Sequence, residues 1–213
     1  MVQERDIAIE LAGGERLGGT LAMVEDARGI VLFAHGTGSS RFSPRNQSVA
    51  RVLNEAGIAT MLMDLLTQDE EEAERFSRHL RFDIGMLADR LRIAMGWLSQ
   101  RHPLPLGLFG ASTGAAAALV AAAREPERVR AVVSRGGRPD LADDALADVR
   151  APTLLIVGGL DTMVIDLNEQ ARAQMSAPVE MRLVAGASHL FEEPGTLEQV
   201  SVFARKWFLQ HLI

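Results

Sequence analysis

One short segment carries the plainest chemical signal: Gly110-Ala111-Ser112-Thr113-Gly114, set between the apolar run Leu104 to Phe109 and the alanine-rich stretch Thr113 to Arg124. This is G-x-S-x-G at a strand-to-helix junction, where a sharp turn lifts a hydroxyl clear of a sheet and the glycines let neighbouring segments approach. Read without chemistry, it is a tight turn with Ser112 as a helix cap. A serine hydroxyl is a weak nucleophile at neutral pH. Chemistry therefore requires a histidine base whose other ring nitrogen is held by a carboxylate.

The chain has five histidines. His79 and His211 fall in helical stretches, His102 precedes a proline at a strand entry, and His35 belongs to the loop after the third strand. Only His189, in Gly186-Ala187-Ser188-His189, follows the last strand in a loop of small residues, so it is the expected base. Asp161, directly after Gly158-Gly159-Leu160, is the expected acid and completes the chain order Ser, Asp, His. Asp140 and Asp64 also lie near strand ends and compete for that role, whereas Asp166 reads as a helix entry. A tetrahedral intermediate would need two donors for its oxyanion. The Thr113 backbone N–H is one; the Thr37 backbone N–H, from His35-Gly36-Thr37-Gly38, is the other, with Gly36 as the fallback. That glycine-rich loop lacks both the P-loop lysine and G-x-G-x-x-G, which argues against a nucleotide.

Positioning these residues falls to alternating elements. Ile7 to Leu11 and Leu17 to Val24, joined through Gly13-Gly14, read as an antiparallel entry hairpin. Six further strand-like runs follow: Gly29 to Ala34, Ile58 to Met63, Leu104 to Phe109, Val129 to Val133, Thr153 to Val157 and Val179 to Val184. Several are continuously apolar, as strands covered on both faces are. Helices are expected over Pro44 to Ala56, Glu70 to Ser99 with an interruption near Gly85, Thr113 to Arg124, Leu141 to Val149, Asp166 to Met175 and Pro194 to Leu212. The alternation implies a mostly parallel sheet, whose ligands bind beyond the carboxyl ends of its strands.

Composition narrows the class. The 213 residues read as a single domain, 1–213, able to bury a core without disulfide or metal. A net charge of −6 disfavours nucleic acid as a partner. With no cysteine and no H-E-x-x-H spacing, neither a metal nor a cofactor is called for. The charged start is no secretory signal, and the longest apolar run, Ala115 to Ala123, is too short to span a bilayer. A cytoplasmic, non-membrane protein is expected; oligomeric state is left open.

Taken together, His35-Gly36-Thr37-Gly38, Gly110-Ala111-Ser112-Thr113-Gly114, Asp161 and His189 resemble the α/β-hydrolase superfamily over essentially the whole chain. The segments Ser39 to Asn46, Asp64 to Thr67 and Ser134 to Asp140 are similar to its dienelactone-hydrolase-like branch, whose members occur alone or fused to a phosphoribosyltransferase domain. The resemblance implies an α/β-hydrolase fold: eight strands, the second antiparallel, flanked by helices and carrying a Ser, His, Asp triad. Dienelactone hydrolases proper use a cysteine nucleophile, which this chain lacks.

Arg135 to Arg150 is too short for a cap domain, so an open, shallow pocket for small esters, thioesters or lactones is expected. Met163 and Leu190 are candidates for a small acyl site, or else ordinary packing residues. Arg41, Arg45, Arg135 and Arg138 follow strand ends and are candidates for binding a carboxylate or phosphate on the substrate; the plainer reading pairs Arg138 with Asp140. The leading expectation is a serine hydrolase working through an acyl-enzyme. The alternatives are a non-catalytic binding or accessory module on the same fold, or an acyltransferase or perhydrolase.

Overall fold

The computed structural model describes residues 1–77 and 79–212. Eight strands form one sheet in the order β1-β2-β4-β3-β5-β6-β7-β8. They are β1 (Val2–Glu10), β2 (Arg16–Val24), β3 (Ile30–Ala34), β4 (Ala59–Met63), β5 (Leu106–Ala111), β6 (Val129–Arg135), β7 (Thr153–Gly158) and β8 (Val179–Val184). β2 runs antiparallel to both β1 and β4, and the other neighbours pair in parallel. Every residue of β3, β4, β5 and β7 is buried, which is why these strands read as unbroken apolar runs.

The helices are α1 (Pro44–Glu55), α2 (Gln68–Ser77), α3 (Ile84–Arg101), α4 (Thr113–Arg124), α5 (Thr162–Gln174) and α6 (Thr196–His211). Strand alternation divides the core in two. Leu32, Leu108 and Val132 meet Leu91 and Met95 of α3 and the alanines of α4. Phe33, Phe109 and Val133 turn the other way, against Val49 and Leu53 of α1 and Trp207 and Phe208 of α6. Phe33 and Phe109 stack at 4.7 Å between centroids, across the two strands whose ends carry the site.

Several element boundaries differ from the expectation, the start of β1 at Val2 rather than Ile7 among them. The break in the 70–99 stretch lies before Gly85, which is itself helical: α2 ends at Ser77, a 3-10 turn spans Leu80–Phe82, and α3 starts at Ile84. Residue 78, within the expected helix, lies outside the described residues. The buried Glu74 carboxylate accepts N–H bonds from Leu80 (3.1 Å) and Arg81 (3.2 Å), and Asp83 caps α3 at Met86 N (3.0 Å). These local partners draw the backbone out of the helix. The 141–149 helix is instead a 3-10 segment, Pro139–Asp148, kinked at Asp143 with φ 48°. α5 begins at Thr162, so Asp166 lies inside it and Asp161 occupies its N-cap position. Among the described residues no cap domain interrupts the sheet, and a short 3-10 segment is the element between β6 and β7.

Candidate active site

Ser112 sits between β5 and α4 with φ 51° and ψ −122°, a conformation L-residues adopt only under constraint. Its N–H donates to Arg135 O (3.3 Å), and its carbonyl accepts from Arg138 N (3.1 Å) and Ala115 N (3.1 Å). The flanking glycines are required by close approach. A Cβ on Gly110 would collide with the Ala115 backbone, and one on Gly114 with the carbonyls of Ala34 and His35. The loop after β3 crosses this turn so tightly that a Cβ on Gly36 would lie 2.9 Å from Ser112 Cβ.

On the same edge, the loops after β7 and β8 bring Asp161 and His189 together. His189 Nδ1 lies 2.6 Å from Asp161 Oδ2, so the ring donates Nδ1–H to the carboxylate and its Nε2 keeps the lone pair. The two loops are tied directly, Leu160 N donating to Ala187 O (3.0 Å). His189 Cε1 would lie 3.7 Å from a Cβ on Gly136, one residue beyond the carbonyl that receives the Ser112 N–H. Among the described residues, Ser112 Oγ makes no hydrogen bond to His189, a link that often tightens only when substrate binds. The competing carboxylates are engaged elsewhere: Asp64 with Arg41 and Asp140 with Arg138.

Glu193 is a residue that sequence reasoning missed. Its carboxylate accepts the Ser188 N–H (3.0 Å), fixing the residue before His189, and that hydrogen bonding holds its pKa below the usual glutamate value. A glutamate four positions beyond the candidate histidine is an ambiguous signal without the loop's shape.

Thr113 opens α4, so its N–H has no partner within the helix. The Thr37 N–H, expected to be free for an oxyanion, instead donates to Thr113 Oγ1 (3.1 Å), and the two threonine hydroxyls are 3.0 Å apart. In this conformation the expected second donor has a side-chain partner, because the loop that approaches Ser112 also brings Thr37 over the first residue of α4. His35 holds that loop from below. Its Nδ1–H donates to Gly36 O (2.9 Å) and its Nε2 accepts Leu65 N–H (3.0 Å), a pattern only the neutral ring can make. Burial accordingly lowers its pKa.

The four arginines separate into two kinds. Arg41 pairs with Asp64 and stacks over Phe42, 4.3 Å from the ring centroid. Arg138 forks onto Asp140 through bonds of 2.9 and 2.7 Å, which raise its pKa. Arg138 thus adopts the plainer of its two expected pairings, and Arg41 engages Asp64 through one guanidinium nitrogen while it lines the groove described below. Arg135 is buried, with its Nη2 donating to Asn46 Oδ1 at 3.4 Å and no carboxylate partner among the described residues, and Arg45 reaches Glu192 at 3.5 Å. Met163 (67 % exposed) and Leu190 (41 % exposed) are not core packing; with Leu160 (65 % exposed) they place apolar surface beside Asp161 and His189.

A groove of about 680 Å³ begins at Gly38 and runs past Phe42 and Asp64 to Arg16. Local sequence patterns did not anticipate it, since β2 and the loop before α1 come together only in the folded sheet. Among the described residues, no group of three or more His, Asp or Glu is placed to hold a metal ion, and no helix is long and apolar enough to cross a membrane.

Known proteins share this architecture. The family described as an alpha/beta hydrolase domain matches residues 27–201. A Mycobacterium tuberculosis protein named "Putative phosphoribosyl transferase" is 55 % identical over 212 residues, covering 98 % of this chain and 47 % of that protein. The chain thus spans about half the length of that curated relative. Among solved structures, a dienelactone hydrolase from Anabaena variabilis is 56 % identical with a TM-score of 0.95, covering 100 % of this chain and 99 % of that one. Est1E from Butyrivibrio proteoclasticus shares the fold at a TM-score of 0.82 and 15 % identity, over 96 % of this chain and 98 % of its own.

Proposed function

The chain belongs to the alpha/beta hydrolase domain family, and from that premise we propose that it is a serine hydrolase cleaving small carboxylic esters, thioesters or lactones through an acyl-enzyme. The reading rests above all on the 2.6 Å bond between His189 and Asp161, formed on the same sheet edge as a serine held at positive φ.

In this mechanism His189 Nε2 takes the proton from Ser112 Oγ as the oxygen attacks the acyl carbon, and Asp161 stabilises the imidazolium that results. Negative charge gathers on the former carbonyl oxygen. The Thr113 N–H receives it at the start of α4, where the helix dipole also favours an anion. Thr37 supplies the second donor by exchanging its bond to Thr113 Oγ1 for one to the oxyanion. Collapse expels the alcohol, thiol or ring alkoxide with the proton from His189. Water, deprotonated by the same ring, then releases the acid.

The shape of the mouth sets the substrate range. Without a cap, and with Leu160, Met163 and Leu190 exposed beside the base and acid, the site offers a small apolar wall rather than a tunnel. The 56 % identical neighbour is named a dienelactone hydrolase, and a lactone, as a cyclic ester, falls within this class.

The test is labelling with a fluorophosphonate, read by intact mass. One adduct on the wild type, absent from folded Ser112→Ala and strongly reduced in His189→Ala, is the expected result. A folded wild type that takes no adduct and hydrolyses no ester in a broad panel would overturn the reading in favour of a non-catalytic module.

A further inference from the structure

Arg135 is only 7 % exposed, yet among the described residues no carboxylate pairs with it. Among the described residues its buried Nε has no hydrogen-bond partner, and the guanidinium's one bond, to the neutral amide of Asn46, is long at 3.4 Å. The Phe191 ring lies 6.0 Å from the guanidinium carbon. Removing a cation from water without a counter-charge is costly, and folds ordinarily answer such a charge with an acid. Here the nearby charge has the same sign: Arg45, in the first turn of α1, whose Nε is also buried and unpartnered. Burial and this neighbour pull the Arg135 pKa down to about 10, which leaves it cationic at neutral pH. The first turn of α1 carries no acidic residue, so the helix dipole adds to the positive potential. All this occurs in a chain of net charge −6 that pairs Arg41, Arg90 and Arg138 with carboxylates.

The location ties this charge to the chemistry. The Arg135 carbonyl accepts the Ser112 N–H, and Phe191, beside its guanidinium, lies two residues after His189. Glu192, 64 % exposed, touches Arg45 only at the limit of hydrogen bonding, 3.5 Å, so a bound anion has a weak internal competitor.

We propose that Arg135 and Arg45, between the start of α1 and the loop carrying His189, form a subsite for a carboxylate or phosphate group on the substrate. The proposal rests on the serine-hydrolase reading and narrows its substrate class to anionic esters. A guanidinium fork fits two oxygens of either group, and Asn46 keeps that fork oriented. Arg138 is forked onto Asp140 and Arg41 is paired with Asp64 through Nη1, so the subsite is assigned to Arg135 and Arg45.

The test compares two esters of equal length and different charge, mono-4-nitrophenyl adipate and methyl 4-nitrophenyl adipate, on the intact protein at constant ionic strength. Wild type should show a kcat/KM ratio favouring the half-ester by about tenfold or more, and folded Arg135→Met should bring that ratio near one. Glu192→Gln, by removing the competitor, should raise the ratio severalfold. Inorganic phosphate and acetate, added separately, report which oxyanion is preferred: the better ligand raises KM for the half-ester more, with kcat little changed. A wild-type ratio of one or less, or a ratio unchanged in folded Arg135→Met, overturns the subsite. If Arg135→Met does not fold, Arg45→Met and Glu192→Gln decide, and no change of ratio in either overturns it. Fluorophosphonate labelling of the same preparations separates the two levels. An adduct without anion preference defeats the subsite alone, whereas a wild type without adduct defeats the hydrolase reading and the subsite together.

Discussion

His35 and His189 both come after parallel strands at the same sheet edge, in loops of small residues, yet their surroundings give them opposite chemistry. His35 is buried and spends both ring nitrogens on backbone groups, Gly36 O and Leu65 N–H, which locks it neutral. His189 is 39 % exposed in its side chain and gives only Nδ1 to a partner, the carboxylate of Asp161. A carboxylate stabilises the protonated ring while a backbone N–H donor excludes it, so one ring can cycle a proton and the other can only hold a loop. A histidine's place after a strand matters less than the partners that neighbouring loops supply.

The comparison is sharpest under substitution. Under the proposed mechanism His189→Ala should lower kcat for a small ester by about 10⁴ with almost no change in thermal stability, because there its Nε2 moves the proton and the ring packs little. Asp161→Asn should act in the same direction by about 10²–10⁴, since an amide no longer favours the Nδ1–H tautomer or the imidazolium; steady-state kinetics measures both. His35→Ala should reverse the pattern, costing about 2–3 kcal/mol in a denaturant titration by leaving the Leu65 N–H and Gly36 carbonyl without their partner. Equal stability losses in the two histidine variants would break the distinction.

pH should separate them further. The unfolded chain protonates residue 35 near pH 6.5, whereas the fold keeps it neutral to lower pH, so the unfolded state binds more protons in that window. Its contribution is therefore complete above pH 6.5 and is lost as the pH falls from 6.5 toward the lowered folded value. Desolvation lowers His102 and His211 as well, so the His35 share is the part of the acid-side slope that disappears in His35→Asn. The smallest effect belongs to Arg138→Ala: the half-exposed pair with Asp140 should contribute no more than about 1 kcal/mol, read from a thermal melt.

Much of this arrangement was legible residue by residue. The G-x-S-x-G segment, the order Ser112, Asp161, His189 and the apolar strand runs are local signals, and α4 spans Thr113–Arg124 as its residue types indicate. Pairing over distance escaped. Arg41 and Asp64 are separated by a helix and a strand, and Thr37 meets the Thr113 hydroxyl only because the loop after β3 crosses the start of α4. The break between α2 and α3 does fall near Gly85, but its cause was not local: the buried Glu74 carboxylate, bonded to Leu80 and Arg81, sets the boundary.

By itself, then, the sequence determined the sheet-and-helix alternation, the family's fold, and the loops in which a nucleophile, a base and an acid could stand, since these depend on residue type, short-range periodicity and turn chemistry. Tertiary structure decided between Asp161 and its competitors Asp64 and Asp140, paired Arg41 with Asp64, and left Arg135 buried without a counter-charge among the described residues. Those outcomes depend on distances of a few ångströms between segments far apart in the chain, and at that range hydrogen bonds and desolvation outweigh anything a local pattern encodes.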